Sequence, residues 1–141
     1  MRKKKTSDLQ RELTATPNLN RFLCTNREQF ADGKFVDILQ DLLLKSGMPK
    51  ATLAKRAGTS EVYLYQILSG ARSPSRNRTI CLCIGLSATL EQTQQLLRHS
   101  GFAPLYAKNR RDAIIIYGVT HSMQLTEVND CLFVENEATL C

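Results

Sequence analysis

Five cysteines and two histidines are the side chains best suited to reactive chemistry in this 141-residue chain. The odd number and wide spacing of the cysteines argue against a disulfide framework. The cysteines are Cys24, Cys81, Cys83, Cys131 and Cys141. Cys81 and Cys83 would point in different directions on a helix, and no C-x-x-C pair occurs, so we expect no metal site. We interpret the cysteines as buried or partly exposed thiols. Cys24 or Cys141 could sense oxidants, although nothing near either in the sequence argues for an activated thiolate.

The two histidines, His99 and His121, lie near the ends of predicted helices, where a protonated imidazole suits the helix dipole. No G-x-S-x-G, phosphate-loop or H-E-x-x-H pattern occurs in the sequence. We therefore expect neither an enzyme nor a bound cofactor.

Charge is unevenly distributed along the chain, whose formal net charge is +6. Residues 1–30 carry seven Lys/Arg against three Asp/Glu, and residues 31–78 carry eight against four. Residues 79–141 carry four Lys/Arg against six Asp/Glu. A basic first half favours a polyanionic partner, and the alternative is a charge that serves only solubility.

Targeting signals are not evident in the sequence. The basic residues 1–5 are followed by polar residues where a signal peptide would be apolar. No run approaches the roughly 18 apolar residues of a membrane span. We expect a cytoplasmic protein with no membrane partner.

Spacing of apolar residues and position of glycines predict an all-α chain. Five helices are predicted over residues 34–47, 49–58, 60–70, 75–87 and 89–101. Thr89 and Gln92 have the spacing of a capping box. Before these helices we expect a mobile basic arm, residues 1–7, a short helix ending before Pro17, and a segment, 18–33, that is either helix or ordered strap.

Two further helices, over residues 109–122 and 125–136, are predicted to form a C-terminal hairpin. Ile114–Ile116 would also suit a strand, but the flanking residues favour a helix. From Asp112 onwards there are five acidic residues and no Lys or Arg, so this segment is unsuited to binding a polyanion such as DNA. The hairpin could complete the core, form a homodimer interface or hold a protein partner.

Residues 53–76 have the pattern of two helices set at an angle. Ala54 is the small residue where the helices cross, and Gly58 opens the turn with a positive φ. Leu64, Ile67 and Leu68 point inward from the second helix and hold it against the first. The outer face of that helix stays free for a groove.

This pattern resembles the Xre-type, lambda repressor-like helix-turn-helix DNA-binding domain over about residues 35–100. The resemblance is carried by the motif above, by the ending at Gly70 and by the basic residues "ARSPSR" that follow. It implies a five-helix DNA-binding domain, residues 31–101, between an N-terminal arm and extension, 1–30, and the C-terminal hairpin, 102–141. It also implies that the helix beginning after Ser60 is the recognition helix.

Matching positions in that family make Glu61, Val62 and Gln66 candidates for base contacts, with Tyr65 at the edge of the groove. Glutamine can pair with adenine, glutamate can accept from cytosine N4, and valine can touch a thymine methyl group. Two alternatives remain open: the tyrosines pack on neighbouring helices, and Glu61 weakens binding by facing phosphates.

The resemblance also implies contacts with the DNA backbone from residues on either side of the recognition helix. These candidates are Lys50, Ser60, Tyr63, Arg72, Arg76 and Arg78. For Arg72 and Arg76 the alternative is a solvated loop.

The sequence therefore predicts a DNA-binding transcriptional regulator, acting as a homodimeric repressor in a bacterial or phage cytosol. Its partner would be double-stranded DNA. The alternative is an adaptor or inhibitor that binds protein on the same fold, because the predicted recognition helix has no Arg, Lys or Asn.

Overall fold

The computed structural model describes residues 4–26 and 31–141, and all regular structure within these ranges is α-helical. The prediction of an all-α chain is confirmed. The helices are α1 Thr6–Ala15, α2 Leu19–Thr25, α3 Ala31–Ser46, α4 Lys50–Arg56, α5 Glu61–Leu68, α6 Arg76–Gly85, α7 Leu90–His99, α8 Arg110–Thr120 and α9 Leu125–Val134. Residues 1–3 of the expected arm and 27–30 of the segment 18–33 lie outside the described residues.

The N-terminal helices α1 and α2 pack against each other. Lys4 Nζ donates to Glu12 Oε1 at 2.7 Å and also to Asn26, whose side chain is buried. The hydrogen bond from Lys4, and then that from Asn26, lowers the pKa of Glu12 below its ordinary value of 4.5. Lys4 is therefore bonded to α1 and to the end of α2, and Thr6 and Ser7 lie within α1, in a segment where the sequence predicted a mobile arm.

Local capping signals correctly mark several helix ends. Thr89 accepts a hydrogen bond from the backbone N–H of Gln92 at 3.1 Å, and Gln92 Oε1 accepts from Thr89 N, which completes the predicted capping box. Ser60 and Ser75 cap α5 and α6 more simply, because each hydroxyl oxygen accepts a hydrogen bond from a backbone N–H, that of Tyr63 and that of Arg78.

Helix α6 lies at the centre of the core and packs on α4, α7 and α9. Its residues Thr79–Gly85 are all buried, so the helix is enclosed on every side. A Cβ on Gly85 would lie 3.1 Å from the backbone nitrogen of Ala57, which shows how closely α4 crosses α6. Cys81 and Cys83 are buried alongside the isoleucines and leucines of this helix, so α6 has no polar face that helical periodicity could reveal.

The C-terminal helices α8 and α9 pack on each other and share the core of the preceding helices. Ile114–Ile116 lie within α8, so the helical interpretation of this run is confirmed over the strand. Ile115, Val128 and Leu132 are fully buried in the common core. The hairpin therefore supports the helices on which the candidate site lies.

Across residues 4–26 and 31–141, no helix combines the length and apolar character needed to cross a bilayer.

We expect Gly118→Ala to destabilise the packing of α8 on α9. An added Cβ would lie 2.5 Å from Val128 Cγ2, so the valine must move within a packed core. Overpacking of this kind costs about 1–3 kcal/mol of the free energy of unfolding. Urea denaturation of Gly118→Ala measures the loss.

The matched control is a double-mutant cycle with Val128→Ala, which removes the atoms that the new methyl group meets. We expect the variant that carries both substitutions to lose less free energy of unfolding than the two single variants lose in total. Additive losses would contradict the close contact between Gly118 and Val128.

Candidate nucleic-acid interface

The turn between α4 and α5 sets the direction of α5. Gly58 has a φ of +68°, as the sequence predicted, and its N–H donates to the carbonyl oxygen of Lys55 at 3.2 Å. Thr59 N–H donates to the carbonyl oxygen of Ala54 at 2.9 Å. These two bonds form a Schellman motif, which closes α4 and turns the chain into α5. Arg78 Nη1 donates to the carbonyl oxygen of Gly58 at 3.3 Å and braces the turn from α6.

The inner face of α5 is packed against the core. Leu64, Ile67 and Leu68 are buried, as the sequence predicted. Gln40 Nε2 donates to the carbonyl oxygen of Leu68 at 2.9 Å and so attaches the end of α5 to α3. The Ser60 hydroxyl oxygen accepts a hydrogen bond from Tyr63 N–H at 3.1 Å, which caps the other end. Both ends of α5 are therefore held by neighbouring groups.

The outer face of α5 is open to solvent. Val62 is 67% exposed and Tyr65 is 50% exposed, so an apolar and an aromatic side chain are both accessible on this face. Glu61 is exposed in the first turn, and Gln66 is half-buried at the edge of the same helix. A valine methyl group, a carboxylate and an amide are therefore available along one short helix.

Three cations border this face, and each rests against a tyrosine ring. Lys50 Nζ lies 5.2 Å from the ring centroid of Tyr65. Arg72 Cζ and Arg78 Cζ lie 5.5 Å and 5.7 Å from the ring centroid of Tyr63. Cation–π contacts restrict these long side chains without using their N–H groups. Apart from the Nη1 bond of Arg78 to Gly58, those N–H groups can bind anions.

We call this region the α5 surface. It consists of Lys50, Glu61, Val62, Tyr63, Tyr65, Gln66, Arg72 and Arg78. Tyr63 is half-buried. Its ring therefore packs partly within the protein and also contacts the guanidinium groups of Arg72 and Arg78. The region has positive charge at its border and hydrogen-bonding groups at its centre. This combination suits a polyanion that also presents hydrogen-bonding groups between its charges.

Arg76 does not join the α5 surface, although the sequence predicted a phosphate contact for it. Its Nη1 and Nη2 donate to the two carboxylate oxygens of Asp112 at 3.2 Å and 3.0 Å. Its Nε donates to the carbonyl oxygen of Ala103 at 3.0 Å. The side chains of Arg76 and Asp112 are only 24% and 10% exposed. We therefore correct the assignment: Arg76 fastens α6 to the start of α8 and is occupied by this bidentate pair.

Arg111 has a second internal role that sequence reasoning missed. Its Nε donates to the carbonyl oxygen of Ala138 at 2.8 Å, and its Nη2 donates to Asn77 and to the carbonyl oxygen of Thr139 at 3.2 Å each. The segment after α9 is thereby held against α6 and α8. Asn109 caps α8, and its position in the sequence marks the start of this helix. No such local signal identifies the hydrogen-bond partners of Arg111.

Within the described ranges, no group of three or more His, Cys, Asp or Glu side chains could hold a metal ion. Comparison of the chain with models of known protein families, with curated proteins and with solved structures found no match. The geometry of the α5 surface is therefore the basis for a functional proposal.

Alanine substitution distinguishes the internal Arg76 from the exposed Arg72 by its effect on the free energy of unfolding. We expect Arg76→Ala to lower the free energy of unfolding by about 2 kcal/mol, because Asp112 then loses a charged hydrogen-bonding partner in a mostly buried position. Arg72→Ala is the matched control, since Arg72 is exposed and should change this free energy by less than about 0.5 kcal/mol. Chemical denaturation measures both. Equal stability of the two variants would contradict the structural role of Arg76.

Proposed function

We propose that this protein is a sequence-specific DNA-binding transcriptional regulator that acts as a repressor. Helices α4 and α5 would form its helix-turn-helix, and α5 would enter the major groove. The observation that carries the proposal is the open outer face of α5, bordered by Lys50, Arg72 and Arg78 on their tyrosine supports. Such a face can bind the phosphate backbone at its border and meet base edges at its centre.

The charge of the chain supports the same proposal. Residues 31–78, which contain the α5 surface, carry eight Lys/Arg against four Asp/Glu. Residues 79–141 carry four against six. A duplex approaching this protein would be attracted by the net positive charge of residues 1–78, which include α4 and α5, and repelled by the net negative charge of residues 79–141.

Three side chains would read the bases. Gln66 would pair with an adenine, Glu61 would accept from a cytosine N4, and Val62 would contact a thymine methyl group. Tyr65 would lie at the edge of the groove and keep Lys50 directed towards the backbone. Occupancy of an operator would then deny polymerase access to the promoter.

The fold family, the cellular location and the oligomeric state belong to the same proposal. Helices α3–α7 would constitute a five-helix, lambda repressor-like domain in a bacterial or phage cytosol. Reading two half-sites requires two copies about one helical turn apart, so we propose a homodimer formed through the C-terminal hairpin. Phe133 and Val134 on α9 and Tyr117 on α8 are exposed and would be available for that contact.

A protein partner is the second candidate function. Helix α5 contains no Lys, Arg or Asn, and its exposed Val62 and Tyr65 would suit an apolar protein surface. The two functions differ in their response to salt, because counterion release makes DNA binding fall steeply with salt concentration.

We expect Arg72→Ala to weaken binding to all duplexes alike. Loss of one phosphate contact reduces the slope of log Kd against log salt by about 1. Fluorescence anisotropy with labelled duplexes over a salt series measures affinity and slope together.

Arg98→Ala is the matched control for this experiment. It removes the same charge from α7, which packs on α3, α6 and α8 rather than forming the α5 surface. We expect its slope to equal that of the unmodified protein. Equal slopes for Arg72→Ala and Arg98→Ala would contradict the proposed phosphate contact.

Gln66→Ala should change base preference at a single position of the preferred sequence. The loss of a bidentate contact costs about 1–3 kcal/mol against the preferred base and little against the other bases. Competition among duplexes that differ at one base pair measures this. If affinity and preference are both unchanged, α5 is not the helix that reads bases.

A further inference from the structure

Helix α1 has an apolar row that is accessible to solvent. Leu9 and Leu13 are four residues apart and therefore lie on the same face of the helix. Leu13 is 44% exposed, Leu9 is half-buried, and no residue of α1 is buried. Lys5, which precedes the helix and is four residues before Leu9, adds an exposed positive charge at the N-terminal end of this row.

The packing around α1 leaves it short of apolar support. Isolated helices shorter than about 12–15 residues are marginal in water, and α1 has 10 residues. Its N-cap residue makes no side-chain hydrogen bond to the first turn. The bonds among Lys4, Glu12 and Asn26 attach α1 to the end of α2, but they bury no apolar side chain of α1. A surface that covers the two leucines would therefore stabilise this helix.

Helix α9 has an exposed face of similar length and opposite charge. Glu127, Asp130 and Val134 follow one another at helical spacing, and Phe133 lies beside them. Phe133 and Val134 are 76% and 75% exposed, and both acidic residues are exposed. This face extends over about 10 Å of the helix axis, and the row from Lys5 to Leu13 extends over about 12 Å. On both helices the charges lie towards the N-terminal end and the apolar side chains towards the C-terminal end.

The segments around these two faces are also complementary in charge. Residues 1–26 carry six Lys/Arg against two Asp/Glu, whereas residues 112–141 carry five Asp/Glu and no Lys or Arg. The two segments therefore attract each other. Leu13, Phe133 and Val134 are all exposed in the same copy, so the two faces do not cover each other within it. A second copy of the chain supplies the complement that each face lacks.

We propose that α1 of one copy packs in parallel on α9 of a second copy, and that α1 of the second copy packs on α9 of the first. In this arrangement the leucines of α1 contact Phe133 and Val134, and Lys5 lies beside Asp130. Because the exchange is reciprocal, a two-fold axis closes the assembly as a dimer. The inference rests on the homodimer of the proposed function, and it names the segment that covers the C-terminal hairpin.

The apolar part of the contact is tested by substitution of one leucine. Sedimentation equilibrium of the full chain, without DNA, measures the Kd of the dimer. We expect Leu13→Ser to raise this Kd at least about tenfold, because each dimer buries this leucine twice. Leu44→Ser is the matched control, since Leu44 is an 80% exposed leucine on α3. Its Kd should equal that of the unmodified chain.

Charge reversal tests the reciprocal pairing. Lys5→Glu and Asp130→Lys should each weaken self-association, because like charges then meet at both contacts of the dimer. An equimolar mixture of the two variants should recover dimers, since both contacts of a mixed pair again join opposite charges. Lys108→Glu reverses an exposed charge in the loop before α8 and should leave the Kd unchanged. Circular dichroism checks that every variant keeps its helical content.

Four results would overturn the inference. They are a monomer at all concentrations, a dimer insensitive to both Leu13→Ser and Lys5→Glu, no recovery of dimers on mixing, and masses above that of a dimer, which would indicate open chains. A dimer insensitive to both substitutions would point to contact between two hairpins. A dimer that responds as expected but binds no duplex would support this inference and contradict only the binding of DNA.

Discussion

The left-handed turn at Gly58 is the constraint on which the candidate interface depends. Its positive φ lets α4 end and α5 begin within a few residues, while the Schellman hydrogen bonds close the end of α4. A larger residue would be strained by this φ, and its Cβ would lie 3.1 Å from Leu125 Cδ2. The turn is therefore fixed by its own backbone and by the hairpin packed behind it. The outer face of α5 is open because the turn directs its other face into the core.

Arginines near this turn serve two different purposes. Arg76 is bound to Asp112 and joins the central helix to the C-terminal hairpin. Arg78, two residues later, braces the carbonyl group of Gly58 and rests on the ring of Tyr63. Because both arginines are on the first turn of α6, that turn contacts both the hairpin and the α5 surface. The hairpin is thus part of the support for the site as well as part of the core.

Sequence reasoning predicted what is encoded locally. Capping residues such as Ser60 and Thr89 satisfy nearby N–H groups, so their effect can be predicted from spacing alone. The burial of Leu64 and Ile67 likewise follows from helical periodicity. The role of Arg76 could not be predicted, because its partner lies 36 residues away and the contact exists only after α8 has packed on the core. The cation–π supports of the α5 surface were missed for the same reason, since a tyrosine next to a basic residue in space is not marked as such in the sequence.

The proposed function depends on recognition of the sequence of double-stranded DNA by α5. Selection from a random duplex library with purified protein, at a low and a moderate salt concentration, tests it most directly. We expect an enriched motif at both concentrations, arranged as an inverted repeat with half-sites about one helical turn apart. Binding without a motif that disappears at moderate salt would contradict it, because nonspecific attraction to the basic residues would then account for all contact with DNA.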